Sequence, residues 1–315
     1  MYRDKKIGLV IPAHNEERLI RPTLLNVPEL IDAVYVVDDV SSDSTCDVVN
    51  ELAADDPRIH LLKHEVNQGP GQGIITGYQQ ASADDCEVVV VVGGDYQMPL
   101  ECVTDFLDPI INGEVDYTKG NRFISGRGAF DRMPKIRLIG NMLISALTKI
   151  SSGYFKVVDV VDGYTAISKR AIDAIRWDQA WKGYGYPMDF LVQLNMRGFK
   201  VRDVARDAIY LEGERQSQIK GIRYALKVSP MLVRGFFWRI VNRYLFRSFH
   251  PLAIFYLLGL ALLPFGVLYG AVLLYKEQFL QMDVTSGQSV MCALFVITGL
   301  QFLLFAMLFD MQESS

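Results

Sequence analysis

An α/β domain with a mostly parallel sheet, followed by amphipathic interfacial helices and a two-helix transmembrane hairpin, is predicted by three observations. Short β-rich runs alternate with helical patterns over residues 6–215, the mark of βαβ units. Seven basic residues and no acidic one then lie between Gln216 and His250. Two uncharged apolar runs close the chain, residues 251–275 and 290–309. The composition fits such a mixture, with 50% hydrophobic residues beside 22% charged ones and a mean hydropathy of +0.16. Intrinsic disorder is excluded, because a disordered chain lacks this apolar and aromatic content. The domains expected are 1–215, 216–250 and 251–311.

The elements follow in order. Residues 7–11 form a first strand closed by Pro12, and a helix starts near Glu16. Residues 33–37 form the second strand, ending in Asp38 and Asp39. The cluster Ser41, Ser42, Asp43, Ser44, Thr45 supplies N-cap residues for a helix over 46–54. Residues 59–62 are a third strand. The turn Gly69-Pro70-Gly71-Gln72-Gly73 leads to a helix over 74–81 and reads equally as a structural turn or a phosphate contact. Residues 87–92 are nearly all valine, as in a strand buried on both faces, and stop at Gly93-Gly94-Asp95. Ligands of such sheets sit at the carboxyl ends of the strands. Asn15, Glu16, Asp39, Ser41, Asp95 and Gln97 gather at those ends.

Several functions are excluded. No GxGxxG follows the first strand and no GxxxxGK[ST] occurs, so the dinucleotide fingerprint and the P-loop are missing. The four cysteines make no CxxC pair and lie apart from the four histidines, which leaves free thiols in a reducing compartment and no zinc site. The N-terminus carries no signal peptide pattern, placing the first domain in the cytosol.

Charge decides the tail. The 216–250 stretch interleaves its seven basic residues with aromatics, while the rest of the chain holds 25 basic against 36 acidic residues. That pattern suits nucleic acid or an anionic membrane surface. The run over 251–275 settles the choice for the membrane, because as a helix it extends about 37 Å against a hydrocarbon core of about 30 Å. The competing reading of each apolar run is a buried core helix. The connection over 276–289 is too short for a domain, so the runs pair as a hairpin. The positive flank sets both termini on the cytosolic side, and the apolar helices offer a surface for a homo-oligomer.

Six segments carry a resemblance: IPAHNEE (11–17), VVDDVSSDST (36–45), NQGPGQG (67–73), GGDYQMP (93–99), KGNRF (119–123) and DGYTAISKRA (162–171). Together they resemble the family 2 glycosyltransferases of GT-A (Rossmann-like) fold, and within them the polyprenyl-phosphate glycosyltransferases of the dolichol-phosphate mannose synthase type. The resemblance covers about residues 5–220 by motif and the rest by architecture.

The resemblance implies an inverting transfer of a sugar from a UDP- or GDP-linked donor to a polyprenyl (dolichyl or undecaprenyl) phosphate at the cytosolic membrane face. It places Pro12, Asn15, Glu16, Asp39, Ser41, Gly69 and Gly94 at the nucleotide sugar, where a cap or turn role is the competing reading for the polar ones. Asp95 stands at the metal-binding aspartate of the family's DxD motif, with Gln97 two residues on, so that Mg²⁺ or Mn²⁺ is expected. Gly93 replaces the first acid of that motif. Arg122 and Arg137 stand where the family holds the acceptor phosphate, with Arg132 a competitor for the second place. Arg215 lies in a loop that would close over the donor. Asp159 and Asp162 flank a strand beside the site, to orient donor hydroxyls or to make a turn. A lipid phosphate is already anionic and needs no base. A saccharide hydroxyl acceptor does need one, and Asp189 lies where relatives with such acceptors keep theirs. The alternatives are thus an enzyme extending a saccharide, with Asp189 as base or else a helix N-terminal acid, and a non-catalytic membrane scaffold.

Overall fold

The computed structural model describes residues 1–123, 135–207, 209 and 221–313, without the side chains of 135–139, 141 and 221–223. Two compact units result, Met1–Gly235 and Phe236–Ser315.

In the first unit β1 (Ile7–Ala13), α1 (Ile20–Leu25), β2 (Ala33–Asp38), α2 (Thr45–Asp55), β3 (Ile59–Lys63), α3 (Pro70–Ala83) and β4 (Val88–Val91) alternate as the hydrophobic pattern predicts. α4 (Val103–Ile111), β5 (Tyr117–Asn121), α5 (Lys135–Ser152), β6 (Thr165–Ser168), α6 (Lys169–Ala174), α7 (Tyr186–Met196) and β7 (Val201–Ala205) follow, and α8 (Gly221–Arg239) begins in this unit and ends in the second. The seven strands lie in the order β3-β2-β1-β4-β6-β5-β7. β6 runs antiparallel to both of its neighbours, and every other pair is parallel.

Both faces of the sheet are covered, which is why its central strands are apolar at consecutive positions. Ile7, Leu9 and Ile11 of β1 face a core with Val34, Val36, Val49, Phe106 and Leu107. Val10 faces the other core, with Tyr35, Val37, Ile74, Tyr78, Phe190 and Leu191. Each such side chain, fully buried, contributes about 1.5–3 kcal/mol.

α3 starts at Pro70 rather than at residue 74, within the expected turn, and two further boundaries differ from expectation for physical reasons. β1 runs through Pro12, which pairs with Val37. Val10 and Pro12 face the β4 side, and β4 ends opposite Val10 at Val91. The N–H that Pro12 lacks therefore has no partner to lose. α1 starts at Ile20 rather than near Glu16: residues 16–19 form a turn first, and the Glu16 N–H is satisfied by Thr45 Oγ1 at 2.8 Å.

In the second unit a π-helical stretch (Ile240–Arg247) precedes α9 (Pro251–Leu280) and α10 (Ser286–Glu313). Both helices have a mean hydropathy of 2.3 over their best window and are long enough to span a bilayer. α9 extends past the predicted run at its C-terminal end and α10 at both ends, because the helices continue beyond their uncharged centres. Within this unit Arg239 donates two hydrogen bonds of 2.6 Å to the Asp310 carboxylate, which also accepts from the Tyr256 hydroxyl at 3.2 Å. All the charge of this fully buried pair is thus matched in place.

Candidate active site

The loops after β1 and β2 are sewn together by side chains. Asn15 N–H donates to Ser41 Oγ (2.9 Å), and Ser42 N–H donates to Asn15 Oδ1 (2.7 Å). Asn15 has φ +58°, a left-handed conformation that asparagine tolerates better than most residues. Ser44 N–H reaches Glu17 Oε2 at 3.1 Å. Polar residues clustered after a strand are here each other's partners.

Asp39 is the hub of this side. Its carboxylate accepts from Gln68 N–H (2.8 Å), Gly69 N–H (2.7 Å) and His64 Nδ1 (2.8 Å). Burial acts to raise its pKa, but these bonds outweigh burial and hold it below the ordinary carboxylate value. The glycine turn has a structural role. Gly69 has φ +89°, and the N–H groups of Gly71 and Gln72 at the start of α3 donate to the Lys182 carbonyl at 2.7 and 3.2 Å. A Cβ on Gly71 would stand 2.6 Å from the Trp181 carbonyl oxygen, so only glycine fits. Pro12 packs beneath, its Cβ 3.2 Å from where a Cβ of Gly73 would be.

The β4 end is different. Asp95 lies beyond β4 and its Oδ1 accepts one backbone N–H, that of Gln97 at 3.3 Å. Burial pushes its pKa up, with the Gln97 N–H and the Arg206 charge opposing only in part. A Cβ on Gly93 would lie 2.8 Å from Asp95 Oδ1, so the glycine in place of the first DxD acid leaves the space that this carboxylate fills. Gly94 joins the two sides. A Cβ there would be 3.5 Å from Glu16 Cγ, and its carbonyl accepts from Thr23 Oγ1 at 3.2 Å.

A charged cluster stands behind Asp95. Arg122 donates through Nε and Nη2 to the two oxygens of Asp159 (2.7 and 3.1 Å), and Nε lies 3.2 Å from Asp162 Oδ2. Arg206 grips Asp162 Oδ2 through Nε (2.9 Å) and Nη2 (2.8 Å), and its Nη1 reaches the Gln97 carbonyl at 3.2 Å. Lys119 is fully buried and donates to the Asp162 carbonyl. Burial raises the Asp162 pKa, but Arg206, Arg122 and Lys119 more than offset it and the net shift is downward. Asp203 completes the group, accepting from Asn121 Nδ2 (2.6 Å) and Val158 N–H (2.8 Å).

Asp189, in the first turn of α7, accepts from Trp181 N–H at 2.8 Å. Burial pushes its pKa up to about 6. It anchors the loop whose next residue, Lys182, caps α3. Tyr184, in the same loop, has its pKa raised by burial and by the charges of Glu16 and Asp39, which puts it by the β1–β2 loops.

The structure therefore gathers Asn15, Glu16, Asp39, Ser41, Gly69, Gly94, Asp95 and Gln97 at one end of the sheet, with Arg122 held by Asp159 and Asp162. Arg132 and Arg215 lie outside the described residues, as does the side chain of Arg137. Sequence reasoning missed Arg206, His64 and Tyr184. Arg206 had one signal, a charged residue just past the last strand. His64 had none, since its partners Asp39 and Thr76 are far apart in the chain.

Among the described residues no three His, Cys, Asp or Glu side chains converge as a metal cage. The carboxylate of Asp95, at the strand ends with its pKa raised by burial, fits a hard cation, with Gln97 two residues on and the remaining ligands drawn from ligand phosphate and water.

Residues 9–176 match the family described as glycosyl transferase family 2, more than half of the chain. The UDP-N-acetylglucosamine–dolichyl-phosphate N-acetylglucosaminyltransferase of Methanococcus voltae is 29% identical over 222 residues, 66% of this chain and 88% of that protein. The undecaprenyl-phosphate mannosyltransferase of Micrococcus luteus is 27% identical over 202 residues, 63% of this chain and 82% of that protein. Among solved structures, glucosyl-3-phosphoglycerate synthase of Mycobacterium tuberculosis with UDP superposes with a TM-score of 0.53 at 17% identity, covering 75% of this chain and 80% of that one. Its complex with Mn²⁺, UDP and phosphoglyceric acid gives a TM-score of 0.51 at 18% identity, covering 76% and 78%. The architecture is the GT-A fold, and the chain belongs to glycosyl transferase family 2.

Proposed function

We propose that this glycosyltransferase is membrane-anchored and inverting, and moves a sugar from a nucleoside diphosphate donor, UDP- or GDP-linked, to a polyprenyl phosphate at the cytosolic face. The observation that carries the reading is the contrast between Asp95 and Asp189. Asp95 sits partly exposed at the strand ends, while Asp189, the candidate base, is buried at 8% exposure beneath the loop whose Trp181 N–H it accepts. A charge-stabilising carboxylate at the strand ends, with the candidate base buried away from them, suits an acceptor that is already an anion. The M. voltae and M. luteus relatives, named for dolichyl-phosphate and undecaprenyl-phosphate acceptors, support the same choice.

In this mechanism an oxygen of the lipid phosphate attacks the anomeric carbon from the face opposite the leaving group. The bond from that carbon to the donor's diphosphate oxygen breaks, its electron pair leaves with the nucleoside diphosphate, and the configuration inverts. The chain's own residues work by positioning and charge. The sewn loops of Asn15, Ser41 and Asp39, with Pro12, Glu16, Gly69 and Gly94, shape the nucleotide pocket. Arg122, fixed in orientation by Asp159, presents a guanidinium to the acceptor phosphate, and Arg137 is assigned the same ligand. Asp95 and Gln97 would hold Mg²⁺ or Mn²⁺, as the M. tuberculosis neighbour holds Mn²⁺ with UDP. Such an ion, when bound, supplies neutralisation of the leaving diphosphate.

The basic 216–250 stretch and the two apolar helices support a cytosolic catalytic unit and cytosolic termini by the positive-inside bias. Self-association through α9 and α10 is part of the proposal.

The test is a transfer assay on the purified full chain in detergent, offering labelled UDP- and GDP-sugars with polyprenyl phosphate, with and without a chelator. Label entering the organic phase and lost with the chelator supports the reading and names the donor. Turnover only on a saccharide acceptor overturns it in favour of the elongating enzyme with Asp189 as base.

A further inference from the structure

α5 is inside out. Its inward positions include Ile144 but also Thr148, Ser151 and Ser152, all buried. Thr148 and Ser151 are satisfied by the carbonyls of Ile144 (2.8 Å) and Leu232 (2.6 Å). Its outward face carries Met142, Leu143 and Leu147 at 63%, 62% and 41% exposure, with Ala146 exposed and Ile150 half-buried between them. On a water-facing helix the polarity runs the other way. α8, which meets α5 where Ser151 bonds Leu232, repeats the pattern. Leu226 (69% exposed) and Val233 (52%) stand with Pro230 on one stripe at helical spacing, flanked by exposed Lys227 and Arg234.

Charge says what covers this face. α5 contains Lys135, Arg137 and Lys149, and α8 contains Arg223, Lys227 and Arg234 besides the buried, Asp310-paired Arg239; neither has one acidic residue, in a chain of net charge −4. A second copy of the same face would bring like charges together, whereas an anionic leaflet satisfies both the apolar stripe and its basic rim. We infer that the catalytic unit has its own lipid-seated surface, in which the outward face of α5, beside that of α8, enters the headgroup–acyl boundary of an anionic leaflet. The lipid phosphate acceptor then meets an active site already lying at headgroup level, rather than one tethered above it. The inference rests on the reading of α9 and α10 as spans, and the measurement separates the two.

The experiment places nitroxide labels on the full chain in nanodiscs, in a cysteine-free background (Cys46→Ser, Cys86→Ala, Cys102→Ser, Cys292→Ala). Labels go at Leu143→Cys, Leu147→Cys and Val233→Cys. Asp85→Cys is the aqueous reference and Leu268→Cys, on the exposed side of α9, the span reference. Collision with oxygen against a water-soluble nickel chelate reports depth. With anionic lipid, residues 143, 147 and 233 should show an oxygen-to-nickel ratio several-fold above that at 85, at a depth of about 5–10 Å, and the ratio should fall in purely zwitterionic discs. Nickel-dominated relaxation at 143 and 147 with a deep signal at 268 overturns the inference alone. Nickel-dominated relaxation at 268 overturns the span reading beneath it. Dipolar broadening at 143 that label dilution removes would show a second copy on the face, and overturns it as well.

Discussion

Two sides of one sheet end treat their carboxylates in opposite ways. After β1 and β2, Asp39 receives two backbone N–H groups and His64, and its pKa falls. After β4, Asp95 receives one N–H at 3.3 Å and its pKa rises. Both were expected to touch the donor. The first is paired by its own chain. The second carries a raised pKa, the setting in which a bound cation would most strengthen the charged form, and that is the role proposed for it. The charged cluster of Asp159, Asp162 and Asp203 with Arg122, Arg206 and Lys119 belongs with Asp39 in this respect, since its three acids face its three bases.

Breaking the self-neutralised cluster should cost most. Asp162→Ala leaves Arg206 without its carboxylate and Arg122 and Lys119 with less counter-charge in a buried site, and removing one partner of such a set costs about 3–5 kcal/mol. The melting temperature of the full chain in detergent should drop accordingly, while Asp159→Ala, which faces the more exposed Arg122, should cost less. Equal small losses in both would show that the cluster is hydrated and not a structural hub.

Asp95→Asn should act on rate instead. Loss of one charge-stabilising group costs on the order of 10²–10³ in kcat, with a melting temperature unchanged or raised, because the amide carries no buried charge. A variant that unfolds would place Asp95 with Asp39 as a structural acid. One that keeps wild-type turnover would end the metal assignment.

Asp189 offers a comparison read by pH. Its folded pKa is raised from 3.8 to about 6 by burial. Between those values the folded state binds more protons than the unfolded one, so the stability contribution is fully present below pH ~4, declines as pH rises, and is gone above the folded value. The swing is on the order of 3 kcal/mol. Asp189→Asn should flatten that part of the stability profile. Transfer to a lipid phosphate should survive the substitution, whereas transfer to a saccharide hydroxyl should not.

Sequence pattern found what local chemistry encodes. The valine run of β4 reads as a strand buried on both faces because consecutive apolar residues have no other use in a sheet, and the two apolar helices announce themselves by length. The ends of elements were less legible. Whether Pro12 sits inside a strand depends on where β4 stops, and α1 starts only after a turn over 16–19, where Thr45 satisfies the Glu16 N–H from across the fold. The site splits likewise. Asp39 and Asp95 stand in motifs at strand ends, but nothing in their neighbours distinguishes the paired acid from the unpaired one, since His64, Gln68 and Gly69 arrive from another loop. The outward apolar face of α5 was hidden because periodicity gives a stripe without saying which way it points.

The finest probe of the contrast is Ser41. It ties the two loops by accepting the Asn15 N–H, on a partly exposed site where water can take its place, so Ser41→Ala should cost about 0.5–1.5 kcal/mol and no more. Its catalytic signature separates two roles. If Ser41 holds the loops and also meets the donor, the bond it gives is as good in the ground state as in the transition state. KM for the nucleotide sugar should then rise several-fold with kcat unchanged. If it is a loop tie alone, KM should return to the wild-type value at low temperature, where the loosened loops are populated in their native form. A fall in kcat at constant KM would contradict both, and would move Ser41 from the paired side of the sheet end to the side of Asp95.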